Sequence, residues 1–216
     1  MLAGRFPGRC WPYETSVLPL LERAVVSSSL STRPLDTDTW SAFAALAERH
    51  NGVWGGCWCL WFHPKSPDMG ESPAGNRAVK QRLVEEGNAH AALVFDGDHA
   101  VGWCQFGTPD ELPRIYHRKQ YEAEIVAVAD YRITCFFVDR DYRRQGVSEA
   151  ALEGALGLIA DAGGGLVEAF PQDTGGKKVS ASFLYNGTRG LFEHAGFAYE
   201  RAKGKNHCVM TKHVLP

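Results

Sequence analysis

The segment from Arg132 to Phe170 constrains the fold most, because a buried strand, a basic turn, an amphipathic helix and a second strand follow one another directly. Arg132 to Val138 is almost continuously apolar, which is typical of a strand covered on both faces. From Val147 the apolar residues recur at 147, 151, 155, 158 and 159, on one face of a helix. A strand–helix–strand unit requires a parallel pair with a right-handed crossover, so the sequence predicts such a pair.

The flanking segments predict antiparallel strands and further helices around this unit. His90 to Phe95 and Ala100 to Phe106 read as a hairpin around Asp96-Gly97. Thr108 to Asp130 lacks apolar periodicity and is predicted to be irregular. The remaining predicted elements are a short strand at 33–35, a helix capped by Asp36 or Thr37, a helix capped by Asn76, a short helix at 188–195 and a closing hairpin at 197–213. The expected class is α/β (α+β), with helices on both faces of a mixed, mostly antiparallel twisted sheet.

Composition and charge favour one globular domain, assigned to residues 31–216, with residues 1–30 as an N-terminal extension that ends in a Ser-rich linker. The net charge of −2 argues against a strong nucleic-acid footprint, and a tRNA-directed enzyme lacks support from it. No apolar run approaches the roughly 20 residues of a membrane span, and the N-terminus lacks a secretory apolar region, so we expect a cytoplasmic protein.

The six cysteines and eight histidines do not form a metal-binding pattern. Cys57-Trp58-Cys59 is the one close cysteine pair, and its spacing is shorter than zinc sites use. We therefore predict no metal and expect reduced thiols that behave as small apolar residues.

The turn from Arg143 to Ser148 has the chemistry of a diphosphate site. Free N–H groups at a helix start and the helix dipole attract an anion, and Gly146 allows its close approach. Arg143 and Arg144 can add charge and phosphate hydrogen bonds. The glycine patterns of dinucleotide and ATP sites are absent from the sequence. The alternative is an Arg-rich surface turn that merely caps a helix.

This turn resembles the phosphate-binding motif Arg/Gln-x-x-Gly-x-Gly/Ala of the GNAT acetyltransferase superfamily, with Ser148 as a mild departure at the last position. The upstream Val138-Asp139-x-x-Tyr142 and the downstream segment 191–197 are also similar to that family. The resemblance covers residues 132–199 and implies a sheet whose central parallel strands splay around acetyl-CoA. It assigns to the coenzyme the positions Phe136, Phe137, Val138, Arg143, Arg144, Gln145, Gly146, Val147 and Ser148.

The resemblance also implies direct attack by a primary amine, which must lose a proton while the thiolate gains one. Candidates for the base are Glu168, a charge inside an apolar strand, and Glu124, with Glu122 and His117 beside it in the sequence. For each of these residues a solvated surface position is the alternative. Many family members have a tyrosine acid in the last helix, where this chain has Phe192. Tyr185 is a candidate substitute, with an ordinary structural tyrosine or solvent as alternatives.

The acceptor is not specified by any motif. Trp54, Trp58, Trp61 and Phe62 form an aromatic cluster that either lines a pocket for an apolar or cationic amine or packs in the core. A small-molecule amine is favoured over a peptide amine, and a homodimer stays open. The alternative function is a non-catalytic acyl-CoA-binding regulatory module.

Overall fold

The computed structural model describes residues 30–67, 69–70, 72–177 and 179–216, so the extension predicted for residues 1–30 lies outside it apart from Leu30. The elements, in chain order, are β1 Ser31–Pro34, α1 Trp40–Arg49, α2 Pro73–Glu85, β2 His90–Asp96, β3 His99–Gly107, α3 Arg118–Ala123, β4 Tyr131–Val138, α4 Val147–Asp161, β5 Gly165–Ala169, α5 Arg189–His194, β6 Ala198–Lys203 and β7 His207–Val214.

The described strands form a seven-stranded sheet in the order β1-β2-β3-β4-β5-β7-β6. All neighbours pair antiparallel except β4 and β5, which pair in parallel from Tyr131 opposite Val167 to Ile133 opposite Ala169. The predicted mixed sheet and its central parallel pair are therefore confirmed. Because the β4–β5 register stops at Ile133, the remainder of β4 has an edge that β5 does not cover.

Each face of the sheet carries its own apolar core, and the alternation of β2 shows how the strands divide between them. Leu93 and Phe95 face the cluster that includes α1 and α2, whereas Ala92 and Val94 face the cluster around α4. This period of two is what a strand covered on both faces requires. Gly102 on β3 permits the close approach of α4, because a Cβ there would lie 2.6 Å from Val147 Cγ1.

Two helix starts and one loop differ from the predictions. The cap of α2 is Ser72, whose Oγ accepts a hydrogen bond from the Gly75 N–H at 3.0 Å, and not Asn76. Asn76 lies inside the helix and donates to the Gly56 carbonyl. The first helix is preceded by Thr39 as its cap residue, while Asp36 accepts from the Thr39 N–H one turn earlier. The segment predicted to be irregular contains the short α3. A local polar bond from Ser72 sets the start of α2, and apolar periodicity does not locate it.

Candidate active site

The turn between β4 and α4 is held at both ends by buried or half-buried side chains. Asp139 Oδ2 lies 3.2 Å from Arg49 Nη2 and 3.2 Å from His50 Nε2, at the end of α1. Burial opposes ionisation of Asp139, but a hydrogen bond from the Asp141 N–H and the proximity of His50 and Arg49 outweigh it and hold the pKa of this carboxyl below its usual value. Tyr142 donates to Asp96 Oδ2 at 2.8 Å, which ties the turn to the β2–β3 hairpin.

The same turn exposes backbone donors at the start of α4. Arg144 and Gly146 have positive φ angles of 61° and 78°. Gly146 precedes the helix without a side-chain cap, so the first N–H groups of α4 have no side-chain acceptor. They border a cavity of about 340 Å³, the phosphate cavity, which Arg143, Arg144 and Ser148 also line. This geometry fits a diphosphate group, because it combines unpaired donors, a helix dipole and two guanidinium groups.

The uncovered edge of β4 leads away from the phosphate cavity. A second cavity of about 180 Å³, the middle cavity, is lined by Phe136, Phe137 and Val138 together with Arg143 and Ser148 of the turn. The two cavities therefore share part of their walls. Eight of the nine positions predicted to hold the coenzyme line one or both of them. The ninth, Gln145, is exposed and donates to the Asp141 carbonyl at 2.9 Å.

The segment 184–188 fills the space between β4 and the chain that continues from β5. The Phe136 N–H donates to the Tyr185 carbonyl at 2.7 Å, and Asn186 Nδ2 donates to the Thr134 carbonyl at 2.7 Å. On the other side the Gln172 N–H donates to the Gly187 carbonyl at 3.0 Å. Residues two apart on a strand face the same way, so the Val138 backbone also faces this cleft. The Phe136 N–H is thus already paired.

A third cavity, of about 280 Å³, lies at the far end of the middle cavity, with which it shares Trp54. We call it the aromatic pocket. Its walls are the rings of Trp54, Trp61, Phe62, Tyr116 and Tyr185, the thiols of Cys57, Cys59 and Cys135, and Ser182. The predicted aromatic cluster is therefore divided: three members line the pocket, whereas Trp58 is buried against Trp40 and Phe43.

A buried polar cluster lies beside the thiol wall of this pocket. Lys80 Nζ lies 3.1 Å from His63 Nε2 and 3.1 Å from Gln105 Oε1. Burial lowers the pKa of Lys80 to about 8, although the neighbouring cysteines oppose that shift. Burial and then Lys80 lower the pKa of His63 well below its usual value, so this ring stays neutral at pH 7. The Sγ atoms of Cys59 and Cys135 are 2.8 Å apart. No sequence pattern signals this cluster, because its residues come from separate segments.

The carboxylates proposed as bases do not line any of these three cavities in the described part of the chain. Glu168 is 2% exposed and is bound by Arg132 Nε and by the Tyr121 hydroxyl. Glu124 is exposed and its Oε2 lies 3.6 Å from Arg201 Nε. Glu122 is paired with Arg118 on α3. His117 lies directly before α3, in a left-handed conformation.

Tyr185 is the predicted catalytic residue that borders a cavity. Its ring packs near Trp54 and Phe62, with centroids 6.2 and 6.4 Å away. Burial, and next the neighbouring Tyr116 hydroxyl, raise the pKa of Tyr185 well above its usual value, so the phenol keeps its proton at neutral pH. Phe192 is fully buried and packs edge-on against Phe136 and Phe197, which makes it a core residue.

The residues that the structure describes contain no cluster of three or more His, Cys, Asp or Glu side chains that could hold a metal ion. None of their helices combines the length and the apolar character that crossing a bilayer requires.

Comparison with known proteins identifies the family. Residues 57–175 match the family described as "Acetyltransferase (GNAT) family". This chain is similar to mosquito arylalkylamine N-acetyltransferase like 5b, with 13% identity, a TM-score of 0.52, and coverage of 86% of this chain and 100% of that one. An acetyltransferase from Thermus thermophilus is 15% identical with a TM-score of 0.48, over 85% of this chain and 96% of that one. At such identities the likeness concerns the fold. A comparison with curated proteins finds no match.

Proposed function

The chain belongs to the GNAT family of acetyl-CoA-dependent N-acetyltransferases, and on that premise we propose that it acetylates the primary amine of a small molecule by direct attack. One observation carries the proposal. The phosphate cavity, the middle cavity and the aromatic pocket follow one another along the uncovered edge of β4. This succession suits a long coenzyme whose thioester end meets a small acceptor. A pocket of about 280 Å³ holds a small molecule better than a folded protein surface.

The turn supplies the anion-binding half of the site. The N–H groups of Gly146, Val147 and Ser148 bind the pyrophosphate, and the guanidinium groups of Arg143 and Arg144 add charge-assisted bonds. Gln145 contributes its main chain only, because its side chain is turned back to Asp141. These residues need not move to accept the ligand, since Asp139 and Tyr142 already fix the turn.

The uncovered edge of β4 aligns the pantetheine part of acetyl-CoA, which carries the acetyl group. Phe136, Phe137 and Val138 wall the middle cavity, and the Val138 backbone faces the cleft. Since the Phe136 N–H is paired with Tyr185, the Val138 N–H is the better donor to polarise the thioester carbonyl. A donor placed where negative charge develops stabilises the transition state by a few kcal/mol. The bound coenzyme supplies the acetyl group.

Tyr185 completes the proton balance. As the amine nitrogen bonds to the acetyl carbon and the carbon–sulfur bond breaks, the phenol gives its proton to the departing sulfur. The phenolate then recovers a proton from the nitrogen, so that the products are an amide and a free thiol. Because its pKa is raised, the phenol is protonated at neutral pH, so the proton is in place when the carbon–sulfur bond breaks. Neither Glu168 nor Glu124 has a step in this scheme, since both are bound elsewhere.

We assign this activity to residues 31–216 and treat residues 1–30 as an extension. A variant that begins at residue 31 should bind acetyl-CoA with the affinity of the full chain. Loss of coenzyme binding in a folded truncated variant would show that the extension contributes to the site.

Two measurements test the function. Isothermal titration with acetyl-CoA should give saturable binding, and absence of binding at millimolar ligand would refute the proposal. Thiol release from acetyl-CoA over a panel of amines should exceed the rate without amine. Coenzyme binding without release from any amine would instead favour an acyl-CoA-binding regulatory module.

A further inference from the structure

The aromatic pocket has a charge distribution that selects among amines. Its nine lining residues among those that the structure describes contain no carboxylate, imidazole, guanidinium or ammonium group. Two cationic side chains lie beside these walls: Lys80 interacts electrostatically with Cys57, Cys59 and Cys135 of the wall, and Arg114 lies over Trp61. Within the described part of the chain, an entering ammonium group therefore meets no unpaired negative group at these walls that could offset its lost hydration.

The thiol wall does not supply such a negative group. Burial disfavours the Cys59 thiolate, yet hydrogen bonding from Cys135 and the charge of Lys80 outweigh burial and lower the pKa of Cys59 below its usual value. The charge of an ionised Cys59 would be offset by the nearby Lys80 ammonium, which is the group whose charge lowers the pKa of that thiol.

Trp61, one of the tryptophans that line the pocket, already has two close neighbours. Tyr116 stacks on it with a centroid distance of 4.1 Å and an interplanar angle of 14°. The Arg114 guanidinium carbon lies 4.7 Å from the Trp61 centroid, so this ring already has a cation beside it. That guanidinium repels a second cation at Trp61, whereas a neutral aromatic ring can still pack against it.

We propose that the acceptor is an uncharged aromatic amine, with the nitrogen attached directly to a one- or two-ring system. Conjugation with the ring makes such a nitrogen a weak base. The amine is therefore unprotonated at neutral pH and enters the pocket without a charge. No base is then needed to deprotonate the nitrogen before it attacks, in agreement with a pocket wall whose described residues include no carboxylate or histidine. The cavity of about 280 Å³ lies near the small end of ligand sites, which limits the acceptor to one or two rings. The inference rests on the proposed acetyl transfer.

The first test compares aniline with benzylamine, which has the same ring but a basic nitrogen, and with a lysine-containing peptide. With acetyl-CoA saturating at pH 7, we expect kcat/KM for aniline to exceed that for benzylamine by about tenfold or more. The benzylamine rate should rise about tenfold per pH unit between pH 6.5 and 8, in step with its neutral fraction, while the aniline rate stays flat.

Variants connect the preference to the pocket. Trp61→Leu should lower kcat/KM for aniline about tenfold and leave the acetyl-CoA Kd unchanged. Tyr199→Leu, which removes an exposed ring on β6 outside the pocket, is the matched control and should change neither value. Ser182→Asp places a carboxylate at the exposed rim and should raise the benzylamine-to-aniline ratio, which tests the charge argument even if Trp61→Leu fails to fold.

The outcomes separate this inference from the proposed function. If acetyl-CoA binds and kcat/KM for benzylamine or for the peptide equals or exceeds that for aniline, the proposed acceptor class is wrong, while acetyl transfer itself is supported. Coenzyme binding without thiol release from any of the three also overturns the inference. Failure of acetyl-CoA to bind would overturn the proposed function itself.

Discussion

The turn from Arg143 to Ser148 and the aromatic pocket lie at opposite ends of one cleft, and they differ in the range of the contacts that form them. The turn is a short stretch of chain whose backbone donors and exposed arginines border the phosphate cavity. The pocket is assembled from side chains of segments that are far apart in sequence: 54–62, Tyr116, Cys135 and 182–185. A site made of local backbone tolerates side-chain variation around it, whereas a site made of converging side chains changes its ligand with each substitution. The two ends of the cleft therefore depend on different parts of the chain: one on a local turn and the other on several remote segments.

The largest expected effect is at the turn. Gly146→Glu should abolish measurable acetyl-CoA binding, because a side chain at a φ of 78° is strained and its charge would oppose the phosphates. Isothermal titration measures the loss. Gly157→Glu makes the same substitution on an open face of α4 and should keep native affinity. Unchanged binding in folded Gly146→Glu would show that the phosphates lie elsewhere.

The second effect concerns the closed end of the cleft, where β4 and β5 still pair. Glu168→Gln leaves Arg132 buried without its counter-charge, and we expect the free energy of unfolding to fall by about 3 kcal/mol in urea titrations. Glu122→Gln breaks an exposed pair and should cost at most about 0.5 kcal/mol. In the folded Glu168→Gln enzyme kcat should stay within a few-fold of native. A loss of about 100-fold in kcat with native stability would make Glu168 the base after all.

The third effect separates chemistry from binding at the junction between the two ends. Tyr185→Phe keeps the main-chain bond to Phe136 but removes the phenol, so kcat should fall about 100-fold while the acetyl-CoA Kd is unchanged. Steady-state rates and titration give the two values. Tyr199→Phe, on the exposed surface, serves as the control. An unaltered kcat in Tyr185→Phe would assign protonation of the thiolate to solvent.

The smallest effect lies beside the thiol wall. The folded-state pKa of Lys80, about 8, is below its usual value of 10.5, so between pH 8 and 10.5 the unfolded chain binds more protons than the folded one. The stability contribution of this group therefore rises with pH across that window, by about 1 kcal/mol per pH unit.

Denaturant titrations at several pH values check this prediction. Between pH 8 and 10.5, the difference in the free energy of unfolding between the native protein and Lys80→Met should change by about 1 kcal/mol per pH unit. The exposed Lys119→Met should show no such trend. A flat difference for Lys80→Met would mean that the buried ammonium is not the source of the pH dependence.

Whether a structural feature can be predicted from the sequence depends on how far apart along the chain its contacting residues lie. The β2–β3 hairpin and the apolar face of α4 follow from patterns of 2 and 3.6 residues, which need no knowledge of distant segments. The cap of α2 does not follow from the sequence, because Ser72 and Asn76 are both good capping residues and only the fold decides which one lies at the helix start. Glu168 is visible in the sequence as a charge in an apolar strand, yet its partner Arg132 lies on the neighbouring strand.

The sequence by itself determined that β4, the basic turn and α4 follow one another, because adjacent residues suffice to form a strand, a turn and a helix start. The resemblance to the GNAT family also placed Phe192 where many members have a tyrosine acid. Tertiary structure alone decided that Phe192 belongs to the core, that Tyr185 borders the aromatic pocket, and that Glu168 is closed in an ion pair. The physical reason is distance along the chain. Burial and side-chain convergence arise when remote segments pack together, and a local sequence pattern does not indicate which remote segments will be in contact.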